Sequence, residues 1–214
     1  MSLENHEILN PEEIRVLGVL IEKSKTTPDY YPMTLNSITV ACNQKTSRKP
    51  VVDYSEETVM LALNSLKGRS LVATAVGGTS RTIKYKHNFT TVFPVSDAQL
   101  AIMCLLFLRG AQTPGELNTN SGRLYEFASL EEVLNVLQQL TEFNPPFVKE
   151  LARRAGQKET RYIHLFSEMP DNDLTETEAT VTNSAGSLEA RLAAVEQELA
   201  EVKETLAKIT KELF

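Results

Sequence analysis

The sequence predicts a mainly α chain with small β-hairpins: one unit of three helices and a hairpin used twice, then a C-terminal coiled-coil helix. Three patterns lead there. A polar-capped amphipathic stretch, Ser55 to Arg69, followed by β-prone runs on either side of Gly77-Gly78, returns as Ser129 to Glu142 followed by 147–151 and 160–166. Both copies end on one signature, Tyr85-x-His87-x-Phe89 and Tyr162-x-His164-x-Phe166. From Leu188 onward, apolar residues alternate spacings of four and three to Leu213.

Each unit opens with a helix announced by its cap. Asn10 caps, Pro11 fits the first helical position, Glu13 completes a capping box and Leu9 can staple onto Ile14. At an offset of 86 residues, Ser96 caps, Gln99 answers it and Val95 faces Leu100. Val16, Leu17 and Leu20 then match Ile102, Met103 and Leu106, and both helices run into a Thr-Pro, Thr27-Pro28 and Thr113-Pro114. A short second helix follows in each, Thr34 to Cys42 and Pro114 to about Thr119, with Leu35-Asn36 set against Leu117-Asn118 and Asp29-Tyr30-Tyr31-Pro32 as extra connection in the first copy. The third helices align at an offset of 74, with Ser55, Val59, Leu63 and Leu66 matching Ser129, Val133, Leu137 and Leu140. Period-two alternation is expected to put each Tyr, His and Phe of the end signature on one strand face, packed against the helices. Neither histidine brings a second ligand at metal spacing, so no metal is expected.

The resulting division is 1–94 for the first unit, 95–166 for the second, 167–186 for an acidic linker and 187–214 for the coiled coil. The linker has five acidic residues and no Lys or Arg, and as a flexible coil it would span about 25 Å. In the coiled coil, Leu192, Leu199, Leu206 and Leu213 take a positions, and Leu188, Val195, Val202 and Ile209 take d. Burial of each seam residue contributes about 1.5–3 kcal/mol, which favours a partner helix and a homo-oligomer. Leu at a with β-branched residues at d leans toward trimers or tetramers; docking of the helix on its own chain is the alternative.

Composition excludes more than it selects. Net charge is −6, yet residues 1–95 carry +2, 96–166 carry −1 and 167–214 carry −7, so the acidity belongs to the tail. Cys42 and Cys104 lie in separate apolar segments, as reduced buried thiols would. A polar, acidic Met1 to Asn10 and the lack of an 18-residue apolar run lead to the expectation of a cytoplasmic protein with no membrane partner. No HExxH, P-loop, GxGxxG or nucleophile elbow occurs, so neither an enzyme nor a cofactor is expected.

Three helices with a late hairpin describe a winged helix, and two copies make a tandem. Residues Arg15 to Ser24, Thr26 to Pro32, Ala41 to Lys45 and Gln112 to Leu117 resemble the YceH family of bacterial proteins over roughly 9–166. The resemblance implies a tandem winged-helix fold and carries over no catalytic residue.

For such a fold the cations suggest a DNA interface. Lys45, Arg48 and Lys49 precede the third helix, Asn64 and Lys67 lie along it, and Arg81, Lys84 and Lys86 flank the first wing. The second wing offers Arg153, Arg154, Lys158 and Arg161. Loops and wings of this kind suit phosphates of double-stranded DNA. Against base reading stand Glu56 and Glu57 in the first third helix, and Glu131 and Glu132 in the second, where a groove reader wants Arg, Lys, Asn or Gln. A protein–protein adaptor, in a layout similar to that of the chromosome-segregation protein ScpB, is the alternative. An exposed apolar patch at Tyr30, Tyr31 and Pro32 would favour it, and those tyrosines fit a core position equally well.

Overall fold

The computed structural model describes residues 8–75, 82–153 and 159–168. All fall in the compact unit Met1–Leu174; the linker beyond 168, the coiled-coil register of 187–214 and the Gly77-Gly78 turn lie outside the described residues. The fold is mainly helical with small antiparallel sheets.

The first helix, α1 (Pro11–Thr26), starts on the predicted capping box: Asn10 Oδ1 accepts from Glu13 N and the Glu13 carboxylate accepts from Asn10 N, both at 2.8 Å. A two-residue strand β1 (Met33–Thr34) leads into α2 (Leu35–Cys42), and Ser55 caps α3 (Glu56–Gly68) by accepting from Thr58 N. Strands β2 (Val72–Ala75) and β3 (Lys84–His87) pair antiparallel, with β1 on the other edge of β3. A four-residue helix α4 (Phe89–Val92) ends the first half. The second half repeats the order as α5 (Asp97–Arg109), α6 (Pro114–Ser121), α7 (Leu130–Glu142) and the hairpin β4 (Val148–Leu151) with β5 (Arg161–His164). Gln112 bridges Tyr162 as Met33 pairs with Tyr85, so an isolated bridge stands where the first half has β1.

Equivalent residues do equivalent work. Val59, Leu63 and Leu66 of α3 and Val133, Leu137 and Leu140 of α7 are all fully buried, each worth about 1.5–3 kcal/mol relative to exposure. The second helices, however, align differently from the sequence expectation. Thr34, not Thr27, is the counterpart of Thr113: each caps its helix and each follows the residue paired to the signature tyrosine. Ile38 therefore matches Leu117, and both are fully buried. The second helix itself lies where the sequence places it, from its Thr34 cap to Cys42; Thr27-Pro28 leads into a 3-10 turn (Pro28–Tyr30) instead, and the match of Leu35-Asn36 to Leu117-Asn118 is three residues out of register.

The halves meet through α1 and α5, the most extensively packed helix pair in the fold. They cross where Gly18 lies against Leu108 and Phe107; a Cβ on Gly18 would approach the Leu108 side chain to 2.9 Å. The Cys104 thiol donates to the Gly18 carbonyl at 3.5 Å, so the contact joins positions equivalent by the 86-residue offset. Cys42 and Cys104 are both buried free thiols, and burial pushes both thiol pKa values up, Cys42 to about 12.

The signature segments converge at the same seam, though not on single strand faces. Phe89 opens α4 and Phe166 follows β5, and their rings lie 5.6 Å apart in a cluster with Phe93, Phe107 and Phe147. Tyr85 is buried and His87 half-buried, whereas Tyr162 is half-buried and His164 buried. The two copies differ because Phe107 stacks edge-on against His164 at 5.0 Å, while His87 instead faces Tyr31 at 6.1 Å. Finally, Leu9 N donates to Phe166 O at 2.7 Å, which ties the start of α1 to the end of the second hairpin.

Candidate nucleic-acid interface

The loop between α2 and α3, residues 43–55, supplies the first group of predicted cations, and its sequence explains its shape. Asn43 closes it, accepting from Tyr54 N at 2.8 Å and donating to Tyr54 O at 2.9 Å. Ser47 adopts a left-handed φ of 60°, which costs roughly 1 kcal/mol for a non-glycine residue. The turn there sends Arg48 inward and Ser47 outward. Lys49 N then donates to Leu108 O at 2.8 Å, fastening the loop to α5.

Arg48 is consequently not a phosphate contact. Its side chain is fully buried, forks onto both Glu22 carboxylate oxygens at 3.0 and 2.6 Å, and also reaches Ala41 O and Gln44 Oε1. Burial works to raise the Glu22 pKa, but the hydrogen bonds and charge of Arg48 hold it below the usual carboxylate value. The pair is structural, and sequence alone gave Arg48 the same standing as its neighbours Lys45 and Lys49.

Those two lysines remain exposed, and the fold gives them company from the other half. Lys45 lines a groove of about 870 Å³ together with Lys23 from α1, Arg109 from the end of α5, and Arg123 just after α6. Arg109 bridges the halves across it, donating to Ser47 Oγ at 3.0 Å and Asn120 Oδ1 at 2.9 Å. Glu22 is the carboxylate in its lining, and both Arg48 and Lys23 neutralise it. A smaller adjoining cleft of about 190 Å³ is lined by Lys49, Arg109 and Arg161 among others; Arg161 Nη2 donates to Ala111 O at 2.5 Å. The groove wall also carries polar Gln44, Thr46, Thr119 and Asn120 beside the apolar Leu105, Leu108 and Leu124. An arrangement of spaced cations over hydroxyls and amides can hold successive phosphates without reading bases.

The other predicted residues lie elsewhere. Asn64 and Lys67 are exposed on α3, Lys84 and Lys86 sit on β3, half-buried and exposed respectively, and Arg153 is exposed after β4. Arg81, Arg154 and Lys158 lie outside the described residues. Lys23, Arg109 and Arg123 went unnoticed in the sequence. Arg109 carried one usable signal, its place beside Gly110 at the C-terminal end of the mostly apolar run that α5 buries from Ala98 to Leu108.

The third helices keep their acidic first turns. Glu56 accepts from Asn36 Nδ2 at 3.1 Å, and Glu132 accepts from Tyr125 OH at 3.0 Å and Ala128 N at 2.7 Å. Among the described residues no cluster of three or more His, Cys, Asp or Glu could hold a metal, and no helix is long and apolar enough to cross a membrane. The apolar-patch expectation splits: Tyr30 is 80% exposed, whereas Tyr31 packs on the core and its hydroxyl accepts from His87 N at 2.6 Å.

A family described as "Protein of unknown function, DUF480" matches residues 9–157. A "UPF0502 protein" of Shewanella halifaxensis is 44% identical over 198 residues, covering 88% of this chain and 92% of the relative. One from Shewanella baltica is 50% identical over 163 residues, 74% and 73% of the two chains, and one from Shewanella piezotolerans is 44% identical over 197 residues, 88% and 91%. The chain belongs to this DUF480 family, alongside relatives named UPF0502, in keeping with the YceH-type resemblance of its motifs.

Proposed function

We propose that the chain is a non-enzymatic DNA-binding protein, built as a tandem winged helix, that grips the phosphate backbone through the groove between its halves. One observation carries the reading: Lys23, Lys45, Arg109 and Arg123 converge on a single groove whose lining carboxylate, Glu22, is already neutralised. Base reading by α3 has little support, because its first turn is acidic and Leu61 is 65% exposed on its surface. The heptad spacing of residues 187–214 supports self-association, which would multiply weak backbone contacts by raising effective concentration.

Fluorescence anisotropy with a mixed-sequence duplex tests it. If about five phosphates are engaged, log K falls with a slope near −4.5 against log salt. Lys45→Glu combined with Arg123→Glu should abolish binding at moderate salt; unchanged affinity in that variant defeats the proposal. A protein-interaction adaptor is the second reading, favoured by exposed Tyr30, Val40 and Leu61. Pull-down after nuclease treatment separates the two, since an adaptor keeps its partner and a DNA binder loses it.

A further inference from the structure

A second cavity, distinct from the basic groove, has the opposite character. It measures about 670 Å³, inside the ~300–1,000 Å³ range usual for small-molecule sites. Its walls are largely apolar, with Ile8, Leu9, Ile14, Leu106, Phe107 and Ile163. Into this lining the fold sets one buried cation, Arg15, 4% exposed.

Arg15 is poorly compensated. Its guanidinium donates to Pro50 O at 2.5 Å and to Cys42 O at a long 3.5 Å, two acceptors for five N–H donors. Among the described residues no carboxylate forms an ion pair with it, and Glu22, the carboxylate whose charge favours it, is taken by Arg48 and Lys23. Burial and the nearby Arg48 charge accordingly push the Arg15 pKa down from its ordinary value. A buried guanidinium without a counter-ion costs free energy that an anionic ligand would recover. A second polar group in the lining is also unsatisfied: His164 is 6% exposed and its Nδ1 has no hydrogen-bond partner among the described residues. Exposed Lys49 and Glu168 add opposite charges to the lining and largely cancel.

We infer that this cavity is a binding site for a small carboxylic acid with an apolar body, its carboxylate paired to Arg15 and its hydrocarbon against the Ile8, Phe107 and Ile163 wall. The planar guanidinium suits a carboxylate in a bidentate fork. The inference stands apart from the DNA reading, since no residue of the basic groove lines this cavity.

Titration calorimetry of the full chain with decanoate and with 1-decanol tests it, with no nucleic acid present. Decanoate should bind saturably and at least tenfold tighter than decanol, and the His164 ring resonances should shift at saturation. Arg15→Gln should weaken decanoate tenfold or more while leaving decanol unchanged. Equal affinity for acid and alcohol, or full decanoate affinity in Arg15→Gln, overturns the inference. Should Arg15→Gln fail to fold, Ile8→Trp at the exposed rim serves instead: it should weaken decanoate tenfold, and undiminished binding there counts against the site.

Discussion

The two halves share three helices and a hairpin, yet they close the space between their second and third helices in opposite ways. In the first, the thirteen residues 43–55 are held by a buried cation, Arg48, forked onto Glu22 of α1. In the second, the eight residues 122–129 are held by a carboxylate, Glu132 of α7, accepting from Tyr125 and Ala128, with Tyr125 packed on Phe127 at 4.8 Å. The longer loop can reach α5 and brings Lys45 and Lys49 to the boundary between halves, where the shorter loop contributes Arg123. The shared order of elements thus supplies the scaffold, and the difference between the halves supplies the surface on which function is proposed.

The largest effect expected from breaking this comparison is at Arg48. Arg48→Met removes one partner of a buried pair and should cost about 3–5 kcal/mol in urea unfolding, because Glu22 is stranded. Glu22→Gln combined with Arg48→Met should be milder than that single change. Lys45→Ala, three residues away and exposed, should shift stability by less than about 0.5 kcal/mol. A single-variant cost as small as that of Lys45→Ala would show that the fork does not hold the loop.

Next in size is the acid response of the paired histidines. Ser24 Oγ donates to Ile21 O at 2.8 Å, so it accepts from His87 Nε2 at 3.1 Å, which leaves Nδ1 buried and without a partner. Burial, reinforced at His87 by Lys25, holds both His87 and His164 down at about 4. The unfolded chain, with ordinary values near 6.5, takes up these protons first, so this stability is complete above about pH 6.5 and is lost as pH falls toward 4. The loss is on the order of 3 kcal/mol for each imidazole. Thermal melts between pH 7 and 4 should show it, and NMR titration should find neither ring protonated at pH 6; a midpoint near 6.5 for His164 would contradict its burial.

Smaller effects probe the helices themselves. Gly18→Ala forces α1 and α5 apart and should cost about 1–3 kcal/mol, whereas Gly115→Ala in α6 meets nothing closer than 3.8 Å and should be neutral or stabilising by up to about 1 kcal/mol. Equal melting shifts would mean that the crossing is looser than its geometry. Finally, Ser55→Ala and Ser129→Ala remove equivalent caps, each accepting from the third residue of its helix, and should each cost about 1 kcal/mol. Unequal losses would mark the point at which the repeat ceases to be energetic.

Much of the helical framework was legible because local chemistry dictates it. Asn10, Ser55, Ser96 and Ser129 cap where their side chains can reach the third amide, and the apolar spacing of α3 and α7 fixes which faces are buried whatever the partner. The alignment of the second helices slipped because a Thr-Pro carries the same local signal at a 3-10 turn as at a helix start. The candidate site was legible only in part. Lys45 and Lys49 could be proposed from their loop, but nothing local distinguishes them from Arg48.

By itself, then, the sequence determined the helices of eight residues or more, their caps, the recurring order of helices and hairpin, and the family, since each depends on residues within a few positions of one another or on motifs read in line. Tertiary structure alone decided which cations face solvent and which are consumed inside, that Arg109 and Arg123 join Lys23 and Lys45 across the seam, and that Arg15 stands buried without a counter-ion. Those outcomes depend on charge and burial between groups far apart in the chain, and a charge changes its meaning with the dielectric and the partners around it.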